Sequence, residues 1–358
     1  MRWTQTAVLA ERLIRQGLTH PLQDPEDEEA YMELFRRLQP MAPVHFTRPG
    51  DPPRLVHRTT YNDMNMSSDL RARHRLIKGR FNGGRIAYVL EEDLKLYATA
   101  FRKTPTTFKQ IHEDVMIAVR ESGGLTKEQL KEELTYPAGE IGKALQDLQM
   151  AFLLHEEQTD TDWETGWLEF ATEWFEVPTD ADSKEASLTT VVHRFIESMV
   201  FATLKQIKSW SGLPVKTISM TLSRLLEKGR LVQAQIDGLG EGFMLATDAN
   251  LSEQITLNKD IPRAVYMLDK SDYLVRADLD ELQSRYKGLE VLQFLLVDGK
   301  FQGVVLGHWR IGPYDVDDII LDLDESDVLA RKDEVIAAVR AIYSPEYHHI
   351  LRYSGSEI

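Results

Sequence analysis

The stretch Pro214-Val-Lys-Thr-Ile-Ser-Met-Thr-Leu-Ser-Arg-Leu-Leu-Glu-Lys-Gly-Arg-Leu-Val-Gln-Ala-Gln-Ile-Asp-Gly-Leu-Gly240 joins a helical pattern to an alternating one. The helix begins at Pro214, ends before Gly229 and carries four apolar residues on one face: Ile218, Leu222, Leu225 and Leu226. Residues from Arg230 to Asp237 then alternate as a β-strand, and the chain turns back through Gly238-Leu-Gly240. The stretch therefore predicts a helix followed by a two-stranded hairpin.

Two shorter helical patterns precede this stretch, at Leu188 to Met199 and at Ala202 to Trp210. Three short helices followed by a hairpin are typical of the winged-helix form of the helix-turn-helix motif. DNA contacts in this motif normally come from the exposed face of the third helix. That face carries Lys216 as a candidate nucleic-acid contact but few other cations, so the pattern favours a structural use of the fold over sequence-specific reading.

A related unit comes earlier in the chain. It begins with a helical pattern from Ile111 to Val119, and the capping box Thr126-Lys-Glu-Gln129 opens a second helix. A third helix is predicted to begin at Pro137, and a strand is predicted at Ala151-Phe-Leu-Leu154. The C-terminal part alternates through Leu292 to Trp309 around the hairpin turn Asp298-Gly299. A strand from Val316 to Leu323 and a closing helix from Ser326 to Tyr343 are predicted after it.

The predicted fold class is α+β, with tandem winged-helix domains followed by a small β-rich C-terminal domain. The expected domains are an N-terminal winged-helix-like domain with a basic hairpin at 1–105, winged helices at 106–180 and 187–250, and an α+β module at 260–358. The chain has 358 residues, of which 42% are hydrophobic and 28% charged, as in a soluble globular protein. It has no cysteine, which excludes disulfides and thiolate chemistry. The apolar segments are too short for a signal peptide or a membrane span, so we expect a cytoplasmic location.

Charge is distributed unevenly along the chain. The basic block, from Arg36 to Arg85, holds eleven basic and three acidic residues, so it carries 11 − 3 = +8 in a chain of net charge −15. Within it, Asn82-Gly83-Gly84 separates two apolar-rich runs and predicts a basic β-hairpin that probes a partner. A local basic surface on an acidic protein favours nucleic acid as that partner. The candidate contacts in the block are Arg48, Arg54, Arg58, Arg71, Arg73, Arg75, Lys78, Arg80 and Arg85.

A second interpretation is that the basic block neutralises acidic neighbours in the same chain. Residues His155 to Ala186 form an acidic segment with eleven carboxylates and one basic residue, among which Trp163, Trp167 and Trp174 are placed. This segment is predicted either to bind a protein partner or to be a solvated linker whose tryptophans pack in the core. The histidines show no metal-ligand spacing, and the glycines do not form a phosphate loop, so no metal or cofactor is expected.

Several segments together resemble the AlkZ/YcaQ family of winged-helix DNA glycosylases. They are Val192 to Leu213, Leu225 to Gly238, Tyr266 to Val275, and Val297 to Trp309. The resemblance implies tandem winged helices around a concave face for double-stranded DNA, and excision of alkylated or crosslinked bases from damaged DNA.

The family's catalytic signature is Gln-x-Gln or Gln-x-Asp after the second helix, and here the matching residues are Gln39-Pro-Met41. The resemblance makes Gln39 a catalytic candidate. Met41 replaces the second polar residue and cannot orient or deprotonate water. His45, four residues further on, is the candidate substitute. The alternatives are a noncatalytic DNA-binding or assembly protein that retains the fold, and a transcription regulator.

Overall fold

The computed structural model describes residues 3–44, 52–158, 165–251, 260–308 and 315–358. The N-terminal part begins with α1 (Gln5–Arg15), α2 (Glu28–Leu38) and α3 (Met64–Ala72). The hairpin of β1 (Leu76–Phe81) and β2 (Arg85–Leu90) follows, and a 3-10 turn then leads into α4 (Leu94–Phe101). The first two helices begin where oxygen side chains cap them, since Thr4 accepts from the Ala7 amide and Asp27 from that of Ala30.

The predicted basic hairpin is confirmed as an antiparallel pair, with Phe81 opposite Arg85. Its turn residues Asn82, Gly83 and Gly84 all have positive φ, the conformation for which asparagine and glycine are suited. Met41 exchanges two backbone hydrogen bonds with Tyr88, of 3.0 and 2.8 Å, and so forms an isolated antiparallel bridge beside β2. The residues after α2 are therefore fixed against the hairpin.

Two units with the same order of elements follow. The first contains α5 (Gln110–Ser122), β3 (Leu125–Thr126), α6 (Lys127–Glu133), α7 (Ala138–Met150), β4 (Leu154–Gln158), β5 (Thr165–Glu169) and the short α8 (Phe170–Glu173). The second contains α9 (Ala181–Met199), β6 (Phe201–Ala202), α10 (Leu204–Ser211), α11 (Val215–Glu227), β7 (Leu231–Ile236), β8 (Gly240–Leu245) and α12 (Ala246–Leu251). Each unit has a three-stranded sheet, in the orders β3-β5-β4 and β6-β8-β7.

In the first of these units the predicted capping box is confirmed, but the predicted start of a strand is wrong. The Thr126 hydroxyl accepts from the Gln129 amide at 3.2 Å and the Gln129 side chain accepts from the Thr126 amide at 2.7 Å, so the capping box is present. The strand predicted at Ala151 begins only at Leu154. The reason is that α7 ends in a turn in which Phe152 takes positive φ (52°), which no extended strand allows.

The C-terminal region is rich in sheet. It contains β9 (Val265–Asp269), α13 (Tyr273–Arg285), β10 (Val291–Val297), β11 (Lys300–Gly307), β12 (Val316–Leu321), α14 (Glu325–Ala330), α15 (Lys332–Arg340), β13 (Arg352–Tyr353) and β14 (Ser356–Glu357). One six-stranded sheet runs in the order β14-β13-β12-β11-β10-β9. The Asp298-Gly299 turn lies between β10 and β11 as predicted. The single closing helix is wrong: it breaks at Arg331, which is buried and turns its guanidinium to Asp298 at 2.6 Å.

One core joins the N-terminal part, the second unit and α13, while the first unit and the outer face of the C-terminal sheet have clusters of their own. Trp210 on α10 is fully buried, and its ring lies 4.4 Å from that of Phe195 on α9 and 5.8 Å from that of Tyr273 on α13. Helix α13 is thereby held against α10, although more than sixty residues separate them. Within the described ranges, no helix has the length and apolar character needed to span a membrane.

Candidate nucleic-acid interface and catalytic position

Gln39 is buried directly after α2, and both the oxygen and the nitrogen of its amide have partners within the protein. The side-chain oxygen accepts from the Leu90 amide at 2.9 Å, and the nitrogen donates to Asp93 Oδ2 at 2.6 Å. Asp93 also forms an ion pair with Arg194, at 2.9 Å from its Oδ1. With an exposure of 1%, Gln39 holds the end of α2 against the end of the hairpin. A substrate can reach its amide only if these bonds open.

Met41, in contrast, lines a small cavity between the N-terminal part and the C-terminal sheet. The lining residues are Met41, Ala42, Val44, Arg54, Val56, Met267, Leu268, Asp269, Ser271 and Asp272. The cavity has a volume of about 20 Å³, which is enough for one water molecule. Position 41 therefore faces a water-sized space.

Polar groups from the C-terminal region border this cavity. The Asp269 carboxylate is buried and accepts from the Ser271 amide at 2.7 Å. Among the described residues, the buried Ser271 hydroxyl has no hydrogen-bond partner. Asp272 caps α13 by accepting from the Leu274 amide at 2.9 Å and holds Arg58 at 2.6 Å, so its oxygens are occupied. Asp269 also accepts from the Gln293 side chain at 3.4 Å, so Asp269 and Ser271 are the buried polar groups at this wall of the cavity.

Most candidate cations of the basic block have partners within the protein. Arg58 has an exposure of 1%, and besides Asp272 it donates to the Gln16 backbone at 2.9 Å, so it is an interior residue beyond the reach of a phosphate. Other pairs in the block are Arg54 with Asp63 at 2.9 Å, Arg73 with Glu28 at 2.6 Å, and Lys78 with Glu156 at 3.1 Å. Arg80 donates to Gln149 at 2.7 Å. Arg71 is half-buried, as is Arg75. His45 and Arg48 lie outside the described residues.

The acidic segment supplies part of this neutralisation. Glu156 pairs with Lys78, and Glu157 lies 2.7 Å from His74. The His74 ring also contacts that of Trp174 at 5.8 Å, while Trp167 is buried in the core of its own unit. Glu156, Glu157 and Trp174 thus contact the basic block, while the stretch 171–173 is exposed and Trp163 lies outside the described residues.

The hairpin tip does not project toward a partner, so the expectation of a probing hairpin is wrong. Asn82 is buried, and a Cβ placed on Gly212, at the end of α10, would lie 2.7 Å from the Gly83 Cα. A Cβ on Gly84 would meet the Met150 sulfur at 2.7 Å. Close packing against the ends of α7 and α10 accounts for the tip's glycines. Lys216, in the first turn of α11, is exposed to solvent.

Two arginines lie together near this packed tip, and only one of them was predicted. Arg85 donates to the Ser209 backbone at 3.4 Å, and the Ser209 hydroxyl donates to the Arg276 backbone at 2.8 Å. Burial lowers the pKa of Arg276 to about 10, and the nearby charge of Arg85 contributes to this shift. Burial also lowers the pKa of Arg85, although Asp280 opposes the effect. Arg276 lies among the acidic residues of α13 in the sequence, so no charge pattern pointed to it.

Comparisons with known proteins identify the family and a similar fold. The model of the family described as DNA glycosylase AlkZ-like matches residues 21–305. Among solved structures, the chain is similar to the Streptomyces sahachiroi DNA glycosylase AlkZ, with a TM-score of 0.69 and 14% sequence identity over 99% of this chain and 100% of that one. A search of curated proteins finds no match. Because the family model spans well over half of the chain, this α+β protein belongs to the AlkZ-like DNA glycosylase family.

Proposed function

We propose that this protein binds double-stranded DNA and hydrolyses the N-glycosidic bond of alkylated or crosslinked nucleotides. Membership of a DNA glycosylase family supports this function. The two repeated units have the helix and strand order of winged helices, and we assign domains at 1–105, 106–180, 187–250 and 260–358. The observation that carries the proposal is the water-sized cavity at position 41, bordered by a buried carboxylate.

The chemistry assigns different roles to the cavity residues. A water oxygen attacks the sugar carbon while the bond to the base breaks and its electrons leave with the base. Asp269 accepts the proton of that water and stabilises the positive charge that develops on the sugar, and the Ser271 hydroxyl orients the water. Gln39 fixes the hairpin and Met41 against this site, because its amide is bonded to Leu90 and Asp93.

Release of 7-methylguanine from a duplex measures this function directly. We expect Asp269→Asn to reduce the rate constant of base release about 100-fold, since general base catalysis contributes on the order of 10²–10⁴. The exposed Asp237 lies in the turn between β7 and β8, and Asp237→Asn is a control with the same change of charge. Equal rates for the two variants would eliminate Asp269 as the base.

A second candidate function is noncatalytic binding of damaged DNA, which the replacement of a polar residue by Met41 favours. In that case a duplex with an abasic-site analogue binds more tightly than the undamaged duplex, and no base is released. Met41→Gln distinguishes the candidates, because it returns a polar side chain to the cavity. We expect this substitution to raise the rate if the site is catalytic, and a protein that stays inactive in both forms would support the noncatalytic function.

A further inference from the structure

We propose that Arg276 and Arg85 form a binding site for a backbone phosphodiester of nucleic acid, beside the position-41 cavity. This inference rests on the proposed function, because it assigns the group that holds the DNA strand while the sugar of the target nucleotide lies beside the cavity. No sequence pattern pointed to Arg276, and the basic block, which the sequence analysis singled out, is largely neutralised within the protein.

Like Arg75, whose acceptor among the described residues is the Met32 sulfur at 4.0 Å, Arg276 is a half-buried arginine that lacks an oxygen acceptor. Throughout the described ranges, no carboxylate or carbonyl accepts a hydrogen bond from its guanidinium. Elsewhere the protein satisfies such groups: Arg12 donates to the Met199 and Phe201 carbonyls at 3.0 and 2.8 Å, and Arg331 pairs with Asp298. A half-buried guanidinium without an acceptor loses solvation and gains no bond in return.

The neighbourhood of Arg276 adds positive charge instead of compensating for it. Arg85 faces it from β2, and Lys270 lies near it in the loop before α13, where Arg276 contributes to lowering the lysine's pKa after burial. Asp280 is the carboxylate that acts on Arg85, and it forms no ion pair with it among the described residues. Ser209 links the two residues, since its carbonyl accepts from the Arg85 guanidinium at 3.4 Å and its hydroxyl donates to the Arg276 carbonyl at 2.8 Å. Guanidinium N–H donors form planar forks, which match the oxygens of a phosphate group. An anion bound between the two arginines would remove the repulsion.

The position of the pair fits a strand that also enters the cavity. Arg276 lies four residues after Asp272, which lines the cavity, and its amide donates to the Asp272 carbonyl at 2.8 Å. The two residues are therefore about one helical turn apart, roughly 6 Å along the axis of α13. A phosphate at the arginines can thus belong to the same strand as a sugar at the cavity.

Arg276→Met tests the site, because methionine keeps the unbranched stem and removes the charge. Arg285→Met is the matched control on the same helix, where the arginine is more exposed and pairs with Glu281 at 2.7 Å. We expect Arg276→Met to weaken duplex binding at least tenfold and to reduce the slope of log affinity against log salt by about 0.9, the loss of one phosphate contact. Arg285→Met should bind DNA as the wild type does.

Thermal unfolding without DNA provides a second, independent measurement. We expect Arg276→Met to leave the Tm unchanged or to raise it, because the buried charge and its repulsion are removed. Inorganic phosphate, compared with chloride at equal ionic strength, should raise the Tm of the wild type more than that of Arg276→Met. A lower Tm together with unchanged DNA affinity would make Arg276 a structural residue and overturn the site.

The outcomes also separate this inference from the proposed function. Wild-type binding to DNA that Arg276→Met leaves intact would overturn the phosphodiester site alone. A wild type that binds no duplex would overturn both. Stabilisation by inorganic phosphate in such a protein would identify the ligand as a free phosphate and contradict the nucleic-acid assignment.

Discussion

The basic block and the Arg85–Arg276 pair have opposite electrostatic surroundings. In most of the block, guanidinium and ammonium groups are matched to carboxylates, as in Arg54 with Asp63 and Lys78 with Glu156. Asp272 gives its carboxylate to Arg58, while Arg276, one turn further along α13, receives none from the described residues. The comparison shows that charge available to a ligand depends on which cations the fold leaves without partners, and not on how many a segment contains.

The difference has a physical basis in the cost of burial. A buried cation is stable when a carboxylate and several acceptors replace its water, as they do for Arg58. A pair of cations without a carboxylate, such as Arg85 and Arg276, lowers the free energy of unfolding. We therefore infer that a ligand supplies the missing anion. We expect the ligand to bind at Arg85, the end of the basic block, where no carboxylate of the described residues pairs with the cation.

Removing Arg58 should give the largest effect on stability. Arg58→Met leaves Asp272 buried without its cation and removes the bond to the Gln16 carbonyl. We expect the free energy of unfolding to fall by about 3–5 kcal/mol, as for other broken buried pairs. Urea unfolding of Arg37→Met is the control, because Arg37 is exposed and pairs with Glu33, so its loss should change the free energy by less than about 1 kcal/mol. Similar values for both variants would contradict an interior role for Arg58.

Acid should weaken the fold through His155, the residue that begins the acidic segment. Burial lowers the pKa of His155 to about 4, against about 6.5 for an exposed histidine. Below pH 6.5 the unfolded chain binds a proton that the folded chain does not, so stability falls as the pH drops from about 6.5 to about 4. A shift of this size corresponds to roughly 3 kcal/mol at the acid end.

Unfolding free energies measured between pH 4 and 7 test this effect. We expect His155→Phe to flatten the slope, while His57 and His193, whose pKa values burial also lowers, keep part of it. His20→Gln changes an exposed histidine and should leave the slope as it is. An unchanged slope in His155→Phe would show that other groups cause the acid sensitivity.

Sequence reasoning succeeded where the signal was local. The hairpins at Asn82-Gly83 and Asp298-Gly299 are present because turn residues fix the backbone themselves, and the Thr126 capping box needs only four residues. Sequence reasoning did not predict contacts between segments that are distant in the chain. Arg58 and Asp272 are 214 residues apart, and Asp269 lies at the position-41 cavity at the end of β9, which the N-terminal part contacts where His57 Nε2 lies 2.8 Å from the Met267 carbonyl. The hairpin was predicted correctly, but its burial was not, because the surfaces that cover its tip belong to later units.

The smallest predicted effect tests whether the acidic segment and the basic block are held together by charge. Lys78 and Glu156 have side-chain exposures of 14% and 16% and lie 3.1 Å apart, so solvent screens them only in part. A double-mutant cycle with Lys78→Met and Glu156→Gln should give a coupling free energy of about 1 kcal/mol. The cycle of Lys131→Met and Glu128→Gln, an exposed pair within α6, should give about 0.3 kcal/mol. A coupling at Lys78 no larger than this would mean that packing, such as the contact of the His74 and Trp174 rings, holds the segment in place. The charges of the basic block would then be more accessible to DNA than the distances of their ion pairs suggest.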